Sequence, residues 1–140
     1  MIDRPLLPTE GLATPLRELM TPGVVAVPAS ASLKRVFEAM QAHRVHAVLV
    51  VDDGSAAPLG WVTSRALLRY ATADLSLHTA RDAVDEPAIS LSPSATAAEA
   101  IEQLLAGEAN RIAVCRDAAA LPEGIVSDLD LVALLVRRHV

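Results

Sequence analysis

Residues 60–63 read Gly60-Trp61-Val62-Thr63, and 64 positions later the chain reads Gly124-Ile125-Val126-Ser127. Working outward at the same offset, Pro15–Ala71 lies over Thr79–Leu135 without a gap. Identities fall at Arg17/Arg81, Ser30/Ser94, Glu38/Glu102, Val50/Val114, Asp53/Asp117, Pro58/Pro122 and Leu67/Leu131, among others. In an alanine-rich chain the conservative pairs weigh more: Val25/Ile89, Val27/Leu91, Ser32/Thr96, Phe37/Ile101, Met40/Leu104 and Val48/Ile112. They keep both periodicity and size. Self-similarity at a fixed period marks a duplicated unit.

Each copy has one element order. A short extended segment comes first, Val24–Val27 and Ile89–Leu91. Ser32 and Thr96 then stand at helix N-cap positions, and Thr96-Ala97-Ala98-Glu99 fits a capping box, in which hydroxyl and carboxylate satisfy free backbone N–H groups. Leu33, Val36, Phe37 and Met40, matched by Ala97, Ala100, Ile101 and Leu104, form an i, i+3, i+4, i+7 stripe. The apolar runs Ala47–Val51 and Ile112–Cys115 read as strands covered on both faces. A turn, a second strand at Gly60–Thr63 or Gly124–Ser127 and a last helix complete the unit. The fold class expected is α+β: two tandem β-α-β-β-α repeats packed about a pseudo-twofold axis, because neither copy buries its apolar faces alone. The chain divides into an N-terminal arm (1–13), repeat 1 (14–71), a joint (72–78), repeat 2 (79–136) and a tail (137–140). Leu16–Met20 reads as a single helical turn leading into the first strand.

Composition bounds the function. The 140 residues are 52% hydrophobic and 21% charged, enough for a packed core and too apolar for disorder. Aromatics are only 2%, so no platform exists for stacking single-stranded nucleic acid. A net charge of −5 argues against a binder of nucleic acid or of an anionic membrane. The longest strongly apolar run, Ala47–Val51, is too short to cross a bilayer, and Met1-Ile2-Asp3-Arg4-Pro5 lacks the layout of a signal peptide. A cytoplasmic location is expected. Cys115, the one cysteine, reads as inert core. His43 and His46 sit three apart without cysteine or paired acids nearby, which is not a metal-ligand pattern. No Ser-His-Asp order or glycine-rich phosphate loop has its required context, so no catalysis is expected.

The stretch Leu19-Met20-Thr21-Pro22-Gly23-Val24-Val25-Ala26-Val27 resembles the opening of a CBS (cystathionine β-synthase-type) domain. His46-Ala47-Val48-Leu49-Val50-Val51-Asp52 is similar to its central strand. Gly60-Trp61-Val62-Thr63 and Gly124-Ile125-Val126-Ser127-Asp128-Leu129-Asp130 are similar to its closing motif, in which glycine, two apolar residues and Thr/Ser are followed, after two variable positions, by Asp. The resemblance covers residues 16–136 and identifies a CBS pair, or Bateman module. It implies a regulatory, non-catalytic role, with AMP, ADP, ATP or S-adenosylmethionine bound in clefts between the repeats, and dimers of pairs.

Carried over residue by residue, the resemblance makes Asp130, Ser127 and Ile125 face Met20, Val25, Val45 and His46 across one cleft. An ionised carboxylate can accept both vicinal hydroxyls of a ribose, and Asp130 stands one helical turn after Ser127. Ser127 and the N–H groups of the helix it opens suit a phosphate, while Val25, Val45 and Ile125 suit adenine. The same pair also suits a plain N-cap and first-turn acid. His46 is a candidate phosphate donor or a surface histidine. A second cleft would hold Thr63, Asn110 and Arg111, but Ala66 stands where Asp130 does and leaves it without a ribose acceptor. Arg111 suits either a phosphate or a solvated edge.

Two functions compete. One is an adenosine-nucleotide sensor acting through cleft closure or dimer geometry on an unidentified effector protein. The other is a ligand-free scaffold for dimerisation. Ala66, and the lack of the family's frequent proline at Leu49 and Ala113, favour the scaffold; Asp130 with Ser127 favours the sensor. A homodimer through the apolar last helices is expected, from Leu67, Leu68, Leu131, Val132, Leu134, Leu135 and Val136.

Overall fold

The computed structural model describes residues 11–117 and 120–138. Most of the arm at 1–13, and His139 and Val140 of the tail, therefore lie outside the described residues. The strands are β1 (Thr21–Pro22), β2 (Ala26–Pro28), β3 (Ala47–Val51), β4 (Pro58–Thr63), β5 (Ile89–Leu91), β6 (Arg111–Val114) and β7 (Gly124–Ser127). The helices are α1 (Leu33–His43), α2 (Ser64–Leu68), α3 (Ala80–Ala83), α4 (Ala97–Gly107) and α5 (Asp128–Arg138). Short 3-10 turns cover Leu16–Glu18 and Leu75–Leu77. Two tandem mixed α+β repeats result, as the duplication implies.

Local chemistry explains the boundaries. Ser32 Oγ accepts the Arg35 N–H at 3.2 Å and Thr96 Oγ1 accepts that of Glu99 at 3.2 Å, which caps α1 and α4. Both helices end on a left-handed residue, Arg44 (φ 54°) and Glu108 (φ 51°), a backbone conformation usually given to glycine. In the expected box at Thr96–Glu99 only the hydroxyl half forms. A complete reciprocal box forms at the start of α5. There Ser127 N–H donates to Asp130 Oδ2 at 2.8 Å, and Asp130 N–H to Ser127 Oγ at 3.3 Å. The last helix of repeat 1 has 5 residues against 11 in its counterpart, and the chain then turns back through the joint to begin repeat 2. Tyr70 holds that return, its hydroxyl on the Asp82 carbonyl at 3.3 Å and its ring 5.0 Å from that of His78.

One sheet has the order β2-β3-β4, with β2 parallel and β4 antiparallel to β3. The other has the order β1-β7-β6-β5. The two sheets sandwich a core of Leu49, Val51, Trp61, Ala113 and Cys115. Val48 and Val50 turn the other way, toward Leu33, Val36 and Met40 of α1. This double burial accounts for the unbroken apolar run of β3. Burial also pushes the Cys115 thiol above its ordinary range, as suits an inert core cysteine.

The repeats are interlocked rather than merely stacked. β1 precedes repeat 1's own sheet yet pairs antiparallel with β7 of repeat 2, Thr21 opposite Ile125. Leu16 is fully buried in the core of repeat 2, with Ala97, Leu104, Ile112 and Val126. Ala80 and Ala83 of α3 reciprocally enter the core of repeat 1. The backbone repeats the symmetry: Leu16 N–H donates to Ala95 O at 2.8 Å and Ala80 N–H to Ala31 O at 2.7 Å. Where β1 passes β7, a Cβ on Gly124 would lie 2.7 Å from the Thr21 carbonyl oxygen, so only glycine admits the crossing.

Candidate functional site

The interlock brings the lead segment of repeat 1 against the closing strand of repeat 2, and a cavity of about 550 Å³ opens between them. That volume lies within the roughly 300–1,000 Å³ usual for small-molecule sites. Repeat 1 contributes Val25, Val45, His43, His46 and Trp61; repeat 2 contributes Ile125, Ser127, Asp130 and Arg111. Of the first-cleft residues expected from sequence, all line this cavity except Met20. Met20 packs instead with the core of repeat 2, its Sδ 2.7 Å from where a Gly124 Cβ would sit.

Asp130 sits at the head of α5, half-buried, with Oδ2 engaged by the Ser127 N–H. Oδ1 is not part of that capping box. The capping and ligand readings of Ser127 and Asp130 are thus compatible, since the box aims the carboxylate without consuming both its oxygens. The α5 N-terminus adds the positive end of its dipole beside Ser127. Val25, Val45 and Ile125 give the cavity apolar walls. His46 is exposed, and its carbonyl accepts the first N–H of α2, from Ser64, at 2.8 Å. His43, the last residue of α1, joins it on the same rim.

The second cleft is arranged differently. Thr63, Asn110 and Arg111 all turn to the dipeptide Asp85-Glu86, which sits at the positions of Thr21-Pro22 under the 64-residue offset. Thr63 N–H donates to Asp85 Oδ1 at 3.0 Å and its hydroxyl to Oδ2 at 2.6 Å. Asn110 Nδ2 donates to Glu86 Oε1 at 3.2 Å, and Arg111 Nη1 to Oε2 at 2.7 Å. Arg111 also lines the Asp130 cavity, so it does not belong to the second cleft alone. Ala66, the counterpart of Asp130, is buried and offers no acceptor. Ile89, the counterpart of Val25, packs so closely on α4 that a Cβ on Gly107 would lie 2.8 Å from its Cδ1.

Sequence reading missed Asp85, Glu86, His43 and Trp61. The offset that set Thr21-Pro22 opposite Asp85-Glu86 and Trp61 opposite Ile125 was the available signal. Among the described residues, no group of three or more His, Cys, Asp or Glu side chains could hold a metal ion, and no helix is long and apolar enough to cross a membrane.

A family model for the CBS domain matches residues 16–73 and 80–137. No curated protein matches. Among solved structures, the CBS domain of a bacterial CNNM/CorC-family Mg2+ transporter in complex with ATP is 24% identical, with a TM-score of 0.79 and coverage of 91% of each chain. A CBS domain protein from Pyrobaculum aerophilum complexed with AMP is 20% identical, with a TM-score of 0.75, covering 90% of this chain and 98% of that one. The CBS domain of a CBS-domain-containing membrane protein from Sphaerobacter thermophilus is 22% identical, with a TM-score of 0.74 and coverage of 89% of each chain. At these identities the likeness is one of fold.

Proposed function

The chain belongs to the CBS-domain family, and from that premise we propose that it is a regulatory module, without catalysis of its own, that binds one adenosine nucleotide between its repeats. The carrying observation is the convergence of Val25, Val45 and His46 from one repeat with Ile125, Ser127 and Asp130 from the other on a single cavity. Asp130 takes the ribose hydroxyls, Ser127 and the head of α5 take a phosphate, and the apolar walls take adenine. His46 and His43 stand at the rim as further phosphate donors. AMP, ADP, ATP and S-adenosylmethionine all carry the adenosine this site would read. Two similar structures were solved with ATP and with AMP, which supports the class of ligand. A cytoplasmic location and an effector protein answering to occupancy belong to the same reading.

A thermal-shift screen over adenosine, AMP, ADP, ATP and S-adenosylmethionine tests it. A ligand at about one hundred times its dissociation constant stabilises the fold by roughly 2.7 kcal/mol, on the order of several degrees of melting temperature. No shift with any of them would favour the second reading, a ligand-free scaffold.

That reading draws on the apolar side chains left at the surface. Leu131 and Leu134 are spent in the core of repeat 2, but Phe37, Leu68, Val132 and Val136 remain exposed, Leu68 at 74%. A hollow of about 520 Å³ between α1 and α2 is lined by Phe37, Met40, Leu67 and Leu68. A homodimer covering these helix faces is compatible with either function. Light scattering at micromolar concentration is expected to give twice the 14.7 kDa chain mass, and a particle of a single chain would exclude the dimer.

A further inference from the structure

Arg111 stands between the two clefts. It lines the Asp130 cavity, yet its Nη1 is held at 2.7 Å by Glu86 Oε2, and its guanidinium lies 5.5 Å from the centroid of the Trp61 ring. Glu86 is the one buried charged residue among the described residues, 7% exposed. It is strapped in place by its backbone: Trp61 N–H donates to Glu86 O at 2.9 Å, and Asp85 N–H donates to Trp61 O at 3.0 Å. The neighbouring carboxylate of Asp85 takes both donors of Thr63. Four donors of the residues expected in a second cleft (Thr63 N–H, Thr63 Oγ–H, Asn110 Nδ2 and Arg111 Nη1) are thus satisfied by two acids of the chain itself. Phosphate oxygens would use the same donors, because both groups are anionic acceptors that suit a guanidinium fork.

We infer that Asp85-Glu86 is a tethered anion filling the second cleft in place of a ligand, and that Glu86 sets the charge preference of the Asp130 cleft by competing with ligand phosphate for Arg111. A phosphate that takes the Arg111 Nη1 donor must draw it from Glu86, and one that takes another of its N–H groups meets a guanidinium whose charge is already shared with a nearby carboxylate. Uncharged adenosine meets no such competition. Arg111 is then a specificity-determining residue of the proposed nucleotide site, and Glu86 the residue that sets how strongly it counts. The inference rests on the nucleotide reading only for the identity of the ligand; the competition for Arg111 involves any phosphate.

The test uses inorganic pyrophosphate, ATP and adenosine, titrated calorimetrically into the wild type, Glu86→Gln and the double variant Glu86→Gln/Arg111→Met. Gln preserves side-chain volume and an oxygen acceptor for Arg111. Glu86→Gln should bind pyrophosphate and ATP about tenfold more tightly than wild type, the worth of one charge-assisted hydrogen bond, with adenosine changed by less than about twofold. The double variant should lose the gain. An unchanged pyrophosphate affinity in Glu86→Gln, or a gain that survives loss of Arg111, overturns the inference. A gain for pyrophosphate without binding of adenosine or ATP upholds it and overturns the nucleotide reading instead. If Glu86→Gln does not fold, 15N spectra of arginine side chains in the wild type decide. The Arg111 signal should move at saturating pyrophosphate, and an unmoved signal rejects the competition.

Discussion

Asp130→Ala is expected to weaken AMP binding by roughly one to two decades, because ribose hydroxyls buried without a partner cost about 1–3 kcal/mol. The structure gives this substitution a second consequence. Asp130 Oδ2 accepts the Ser127 N–H in the box that opens α5, so removing it also loses that half of the box, worth about 0.5–1.5 kcal/mol of stability, while Ser127 Oγ keeps the backbone N–H of residue 130. The two effects separate cleanly. Melting of the ligand-free variant reads the cap, and calorimetric titration with AMP reads the ribose contact. Thr63→Ala is the matched control in the other repeat: its hydroxyl serves Asp85 and the cap of α2, so AMP affinity should stay near wild type. Equal affinity for AMP in Asp130→Ala and wild type would remove the carboxylate from the site.

Leu16→Ala carries the largest expected effect on stability. Leu16 opens repeat 1 but is fully buried in the core of repeat 2, beside Leu104, Ile112 and Val126. Truncating a buried leucine costs about 2–5 kcal/mol through lost transfer free energy and the cavity left behind. For a chain of this size that lowers the melting temperature by on the order of 10 °C. Leu105→Ala, on α4 but 77% exposed, should change stability by less than about 0.5 kcal/mol. A Leu16→Ala protein as stable as wild type would mean that the lead segment does not lock the repeats together.

These two residues show where sequence reading succeeds and where it stops. The offset of 64 is a covalent regularity, so it reports the duplication and the element order directly. Ser32, Thr96 and Ser127 were legible as caps because a cap depends on neighbours three residues away. The pairing of Ser127 with Asp130 was legible because the closing motif stands intact in repeat 2 and is broken at Ala66 in repeat 1. What the sequence conceals is crossing. No periodicity tells that Leu16 and Ala80 fill each other's repeat, because one lies in a 3-10 turn and the other in a four-residue helix, too short for an amphipathic run to read. Glu86 is hidden for a related reason. An acid in a loop such as the one between α3 and β5 ordinarily faces water, and its burial becomes visible only when Trp61, Asn110 and Arg111 are brought to it from other segments.

The two clefts differ in what they offer a ligand, and the stoichiometry of AMP binding to the unmodified chain reads that difference. On the proposed reading Asp130 offers a ribose acceptor in one cleft, while Ala66, Asp85 and Glu86 deny a ligand the other. Calorimetric titration at protein concentrations well above the dissociation constant should therefore saturate at one AMP per chain. Saturation at two equivalent sites per chain, or no binding at all, would contradict a single nucleotide site governed by Asp130.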